Sequence, residues 1–174
     1  MGPQISLRNI SLSFGEEPIF DNLNLLIHPR DRIALVGRNG SGKSTLLKVL
    51  HGLVIQDQGD RMLSKGISIG YMEQDPNLSK FTTLSDYIYS GMPESSFHLI
   101  EITGKSLGID LEVSISESSG GERRRAALTK LIVGDHDIML LDEPTNHLDV
   151  EAIEWLESEL KYSSKSFVII SHDR

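Results

Sequence analysis

Residues 37–45 read G-R-N-G-S-G-K-S-T, and they constrain this chain more than any other stretch. Gly37, Gly42, Lys43 and Ser44 meet the spacing G-x-x-x-x-G-K-S/T. An apolar run at 33–36 precedes them, and Leu46, Leu47, Val49, Leu50 and Leu53 follow at helical spacing. A strand, a tight loop and a helix beginning near Gly42 are therefore predicted. Glycine permits the curled backbone that turns successive N–H groups toward one anion, and a helix start adds the positive end of its dipole. Arg38, Asn39, Gly40, Ser41 and Thr45 complete the cradle. Lys43 is a flexible point charge able to reach the outer phosphates of a nucleotide, and the Ser44 hydroxyl is a hard oxygen suited to Mg²⁺.

A second motif is I-M-L-L-D-E at 138–143. Four apolar residues predict a buried parallel strand, and the two carboxylates emerge at its C-terminal end, where α/β proteins keep their ligand contacts. Asp142 is placed to hold Mg²⁺, directly or through water, and Glu143 to polarise an attacking water. Residues 167–170, F-V-I-I, predict a last buried strand that delivers Ser171 and His172 to the same edge. A histidine there can donate to a phosphate. Gln74 closes the strand predicted from Ile67, Ile69 and Tyr71, a second polar group at a strand end.

Residues 4–28 alternate as strands, with Ile5 and Leu7, then Ile10, Leu12 and Phe14, then Leu23, Leu25 and Ile27. They predict a small antiparallel sheet, turning at 15–18. Phe14 is either a platform for stacking a base or a member of that sheet's core. Gly52 and residues 56–60 predict a loop. From 77 to 118 the pattern is helical and interrupted by Gly91, Pro93, Gly104 and Gly108, with a capping pair at Thr83 and Asp86 and a helix over about 95–107. S-S-G-G-E at 118–122 opens another helix, whose start makes a potential anion nest from Ser119, Gly120 and Gly121. A last helix covers about 150–160, with Ile153, Leu156 and Leu160 on one face.

The 174 residues suit about one α/β domain. With 17 Lys and Arg against 25 Asp and Glu, the formal charge is −8, which argues against a broad nucleic-acid face; Arg123, Arg124 and Arg125 form the only basic run of three. The absence of Cys excludes disulfides and thiolate metal sites. No stretch is long and apolar enough for a membrane span or signal core, so a soluble cytoplasmic protein without direct membrane insertion is expected. Residues 1–6 fit the loose myristoylation pattern, but an ordinary N-terminus or a residue of cloning is the favoured reading.

The phosphate loop, Gln74, the S-G-G-E signature, the Asp142-Glu143 strand and His172, in this order, resemble the ATP-binding-cassette (ABC) ATPases over essentially the whole chain. E-P-T-N-H-L-D at 143–149, G-G-E-R-R-R-A-A-L at 120–128 and the ending I-S-H-D-R are similar to the ABC-F class, soluble proteins associated with ribosomes or nucleic acid. The resemblance implies a P-loop NTPase fold: a single domain over 1–174 with an antiparallel β subdomain at about 4–32, a RecA-like core of mainly parallel sheet at about 33–76 and 134–174, and a helical insert at about 77–133. It implies ATP and Mg²⁺ as cofactors. Phe14 would stack on adenine, Lys43 and the loop amides would hold phosphates, and Ser44, Gln74 and Asp142 would surround Mg²⁺. Glu143 would be the general base and His172 the γ-phosphate sensor. Ser119 and Gly121 would touch the γ-phosphate of ATP on a second cassette, either another copy or another chain, and the ribosome or nucleic acid would be a further partner.

Three departures accompany the resemblance. Ser118 stands where the signature usually begins with Leu, the stretch between Gln74 and Ser119 is short, and family members continue past the His with another helix and strands whereas this sequence ends at Arg174. Slow ATP hydrolysis by a fragment or shortened relative is the expectation. The alternatives are a degenerate or truncated module that holds nucleotide with little turnover, and the nucleotide-binding subunit of a membrane transporter.

Overall fold

Alternating apolar residues build the first sheet. β1 (Ile5–Phe14) and β2 (Glu17–Ile27) pair antiparallel, with Ile5 opposite Ile27 and Phe14 opposite Glu17. Ile5, Leu7, Ile10 and Leu12 are buried. The change of parity between Leu7 and Ile10 is a bulge, where the register shifts and Asn9 takes a φ of 50°. Two of the predicted strand segments therefore merge into one strand.

The opposite edge of β1 carries β4 (Gln58–Leu63), giving the order β2-β1-β4. This strand starts inside the segment 56–60 expected as loop. Q-G-D-R-M-L lacks alternation because β4 is an edge strand with only Arg61 partly buried, so its ladder with β1 defines it rather than burial. Gly59 sits so close to β1 that a Cβ would strike the Arg8 and Asn9 carbonyls.

The second sheet has the order β3-β7-β6-β5, from β3 (Arg32–Leu35), β7 (Ser166–Ile170), β6 (Ile138–Asp142) and β5 (Ile69–Met72). Both β3 and β6 run parallel to β7. All five residues of β6 are buried, as expected for a strand covered on both faces. α1 (Lys43–His51) lays Leu46, Leu47, Val49 and Leu50 into a core shared with both sheets. Gly52, at φ 96°, ends α1 by donating its N–H to the carbonyls of Lys48 and Val49. Leu53, predicted on the helix, falls beyond this cap and is exposed.

The computed structural model describes residues 2–72 and 76–171. They fall into two units, one comprising 2–71, 136–142 and 164–171 with both sheets and α1, the other comprising 72, 76–135 and 143–163. The second unit is helical, with α2 (Leu84–Tyr89), a 3-10 turn (Glu94–Ser96), α3 (Phe97–Ser106), α4 (Gly120–Val133) and α5 (Val150–Tyr162). Thr83 and Asp86 form the capping box foreseen at the start of α2. The helix expected over 95–107 divides into the 3-10 turn and α3. Lys130 ties α4 to α2, donating to the Tyr87 carbonyl at 2.8 Å and lying 4.5 Å from its ring centroid. On α5, Ala152, Leu156 and Leu160 are buried while Ile153 is half-buried, so the inward face includes an alanine that periodicity alone had passed over. Among the described residues no helix is long and apolar enough to cross a membrane.

Candidate functional site

The phosphate loop leaves β3 and enters α1 within the first unit. Gly40 and Gly42 adopt φ of 79° and 87°, and Ser41 donates its N–H to the Arg38 carbonyl at 3.2 Å, which closes the turn. Gly42 is the helix N-cap and has no side chain to offer the first-turn amides, so these donors face outward as an anion cradle. Its lack of a side chain is also a packing requirement, because a Cβ would lie 2.6 Å from Ile19 Cγ2 and 3.1 Å from Phe20 Cε1. Lys43 Nζ donates to the carbonyls of Gly37 and Arg38, each at 2.8 Å. The ammonium is thereby held at the mouth of the loop it would share with phosphates. Gly37, Arg38, Asn39, Gly40 and Ser41 are exposed, and Gly42, Lys43, Ser44 and Thr45 are half-buried.

Strand register brings the acidic group to the same level. Leu35 pairs with Ile170, and Ile170 pairs with Asp142. Two strand spacings, about 10 Å, therefore separate the end of the strand that launches the loop from Asp142. α1, which carries Ser44, packs on β6 and β7. Asp142 is fully buried at its strand end, where a carboxylate requires a counter-charge or strong donors. A hydroxyl and a carboxylate are hard oxygen donors that suit Mg²⁺, which takes few protein ligands and keeps its waters. Among the described residues no group of three or more His, Cys, Asp or Glu gathers as a metal cluster.

Phe14 ends β1 at the hairpin and is 60% exposed. The core alternative for this ring is therefore not realised. Its face is open for stacking.

The second unit holds the signature turn and Glu143. Ser119 caps α4: its hydroxyl accepts from the Glu122 N–H at 3.2 Å while Glu122 Oε2 accepts from the Ser119 N–H at 2.8 Å and from the Ser119 hydroxyl at 2.7 Å. These bonds, backbone first and hydroxyl second, hold the Glu122 carboxyl below its ordinary range, with Arg125 adding to the effect. Gly120 and Gly121 lie between the capped positions, and their N–H groups have no carbonyl one turn back within the helix. A Cβ on Gly121 would touch His147 Cβ at 3.4 Å, so the signature turn and the loop 143–149 are neighbours in this unit.

Glu143 follows β6 with φ 49°, an uncommon conformation for a residue with a side chain. Asn146 Nδ2 donates to Glu143 Oε2 at 2.6 Å, and the Asn146 N–H donates to the Glu143 carbonyl at 3.2 Å. In the sequence Asn146 is evident only as part of a motif; its hold on Glu143 has one signal there, the i,i+3 spacing across a proline-containing turn. Arg123 is evident in the sequence as part of a basic run and of the G-G-E-R-R-R stretch, whereas in the fold its guanidinium binds Ser118 and the Ile115 carbonyl. Gln74 and His172 lie outside the described residues. A cleft of about 770 Å³ within the second unit, lined by Leu78, Phe81, Ser114, Ile115 and Arg123 among others, contains none of the predicted site residues.

A family model described as ABC transporter matches residues 20–146. The ATP-binding protein Uup of Caulobacter vibrioides is 42% identical over 173 residues, covering 99% of this chain and 28% of that protein. Uup of Escherichia coli is 33% identical over 98% of this chain. The energy-dependent translational throttle protein EttA of Mycobacterium tuberculosis is 30% identical, with 97% of this chain and 38% of that protein covered. This chain thus spans between 28% and 38% of the length of these relatives. A solved structure described as the ATP binding subunit of an ABC transporter superposes with a TM-score of 0.85 at 18% identity, over 97% of this chain and 79% of that one, a likeness of fold.

Proposed function

The chain belongs to the ATP-binding-cassette family, and we propose that it is an ABC-F-like cassette that binds Mg-ATP and hydrolyses it as half of a two-cassette sandwich. The arrangement of Lys43 carries this proposal, because an ammonium held at the mouth of a glycine-rich loop is positioned for the outer phosphates of a nucleotide. Loop amides of residues 37–45 bind the phosphates, Phe14 stacks on the base, and Ser44, Asp142 and Gln74 hold Mg²⁺. The metal, when bound, neutralises charge that develops on the phosphate oxygens. Glu143 orients water and takes its proton, with Asn146 fixing one carboxylate oxygen. His172 donates to the γ-phosphate.

Ser119 and Gly121 meet the γ-phosphate of ATP held by a second cassette, either another copy of this chain or a cassette on another chain. EttA is named a translational throttle protein, which supports the ribosome or nucleic acid as a further partner for the assembled protein. The test is a pair of variants. Lys43→Ala should weaken ATP binding at least about tenfold, whereas Glu143→Gln should keep binding and lose turnover by roughly 10²-fold or more. Unchanged ATP affinity in Lys43→Ala, measured by isothermal calorimetry, would remove the phosphate-loop assignment.

A further inference from the structure

We infer that Arg123, acting through Ser118, is a positioning residue for the signature turn, which deepens the paired-cassette proposal and rests on it. Ser118 immediately precedes the N-cap of α4, and it is turned inward, at 8% exposure. Its hydroxyl donates to the Ile115 carbonyl at 2.8 Å and accepts from Arg123 Nε at 2.9 Å. Arg123 Nη2 donates to the same Ile115 carbonyl at 2.7 Å, and the Ser118 N–H donates to the Ser114 carbonyl at 3.0 Å. Four groups thus close a small network that fastens the first turn of α4 to the loop before it.

A hydroxyl can donate once and accept once in this place, and leucine can do neither. The serine that departs from the usual family signature is therefore not a defect on a docking face. It is the inward half of a charge-assisted brace, in which the guanidinium fork places one donor on the Ser118 hydroxyl and the other on the Ile115 carbonyl. Because Ser119 is the next residue and Gly121 lies in the same turn, slack in the brace displaces the groups that would meet the second cassette's nucleotide. Small misplacements of such groups are costly to a reacting geometry. The chain's own ATP is bound by residues 37–45, which the brace does not touch.

The experiment uses the full chain carrying Glu143→Gln, with Ser118→Ala, Ser118→Thr, Arg123→Gln or Arg123→Lys added. Monomer affinity for a fluorescent ATP analogue and Mg-ATP-dependent association by sedimentation are measured side by side. Ser118→Ala and Arg123→Gln should each weaken association about tenfold, with analogue affinity unchanged within about twofold. Ser118→Thr should retain association, Arg123→Lys should lose part of it, and the Ser118→Ala, Arg123→Gln pair should be no worse than the worse single change. Association as tight as the parent's in Ser118→Ala, or additive losses in the pair, would overturn the brace. If the Glu143→Gln parent itself fails to associate, the paired-cassette proposal falls instead. Hydrogen exchange at the amides of residues 119–122 in the nucleotide-free chain then decides the brace alone: faster exchange in Ser118→Ala upholds it, and unchanged exchange rejects it.

Discussion

Gly42 is required twice over, by conformation and by space. Its φ of 87° disfavours any residue with a Cβ, and Ile19 and Phe20 fill the volume that a methyl group would enter. Gly42→Ala should therefore cost about 1–3 kcal/mol of stability and, by pushing the start of α1 away from the hairpin, lower ATP affinity as well. Urea unfolding followed by circular dichroism would read the first effect as a lower midpoint at constant slope. A midpoint equal to the parent's would mean that Ile19 moves aside freely. The need for glycine here was visible in the sequence through the phosphate motif. The second reason was not, since it depends on a hairpin side chain 23 positions upstream arriving at the same point. The same distinction separates Glu143, evident as the acid after a buried strand, from Asn146, whose grip on it exists only once the turn has formed.

Elements are joined by bonds that local patterns do not announce. Ser68, just before β5, donates its N–H at 2.8 Å and its hydroxyl at 2.9 Å to Asp137 Oδ2, just before β6. These donors, the backbone one first, hold the Asp137 carboxyl below its ordinary value of 3.8, with His136 and Lys165 helping. A carboxyl depressed in the folded state contributes stability above its unfolded value, and that contribution is lost as pH falls through the folded value. Asp137→Asn should thus cost roughly 1–2 kcal/mol at neutral pH, and the gap to the parent should close progressively below about pH 3.8. Denaturant midpoints across a pH series would show it, and a gap independent of pH would assign the loss to packing instead. Element legibility followed the same physics. The buried strands β6 and β7 and helices α1 and α4 were plain from apolar runs and caps. β4 was not, because an edge strand with an exposed sequence is recognisable only by the partner it pairs with.

For the molecule as a whole, the relevant quantity is charge. A formal −8 on each chain, with bound nucleotide adding more, means that two copies repel as they approach, and this term is screened within about 8 Å at physiological salt. Contact with nucleic acid through a local basic patch has the opposite sign, because salt then competes with released counterions and affinity falls steadily as salt rises. Ionic strength therefore separates the two kinds of partner. If a second copy completes the sandwich, the Mg-ATP-dependent association of Glu143→Gln should strengthen by roughly two- to fivefold between about 50 and about 300 mM salt. Sedimentation equilibrium across that series, with ADP in place of ATP as the control, measures it directly. Association that instead weakens with salt would mean that the docking faces carry locally complementary charges strong enough to outweigh the net repulsion. It would place the acidic excess on the surfaces that a second cassette leaves exposed.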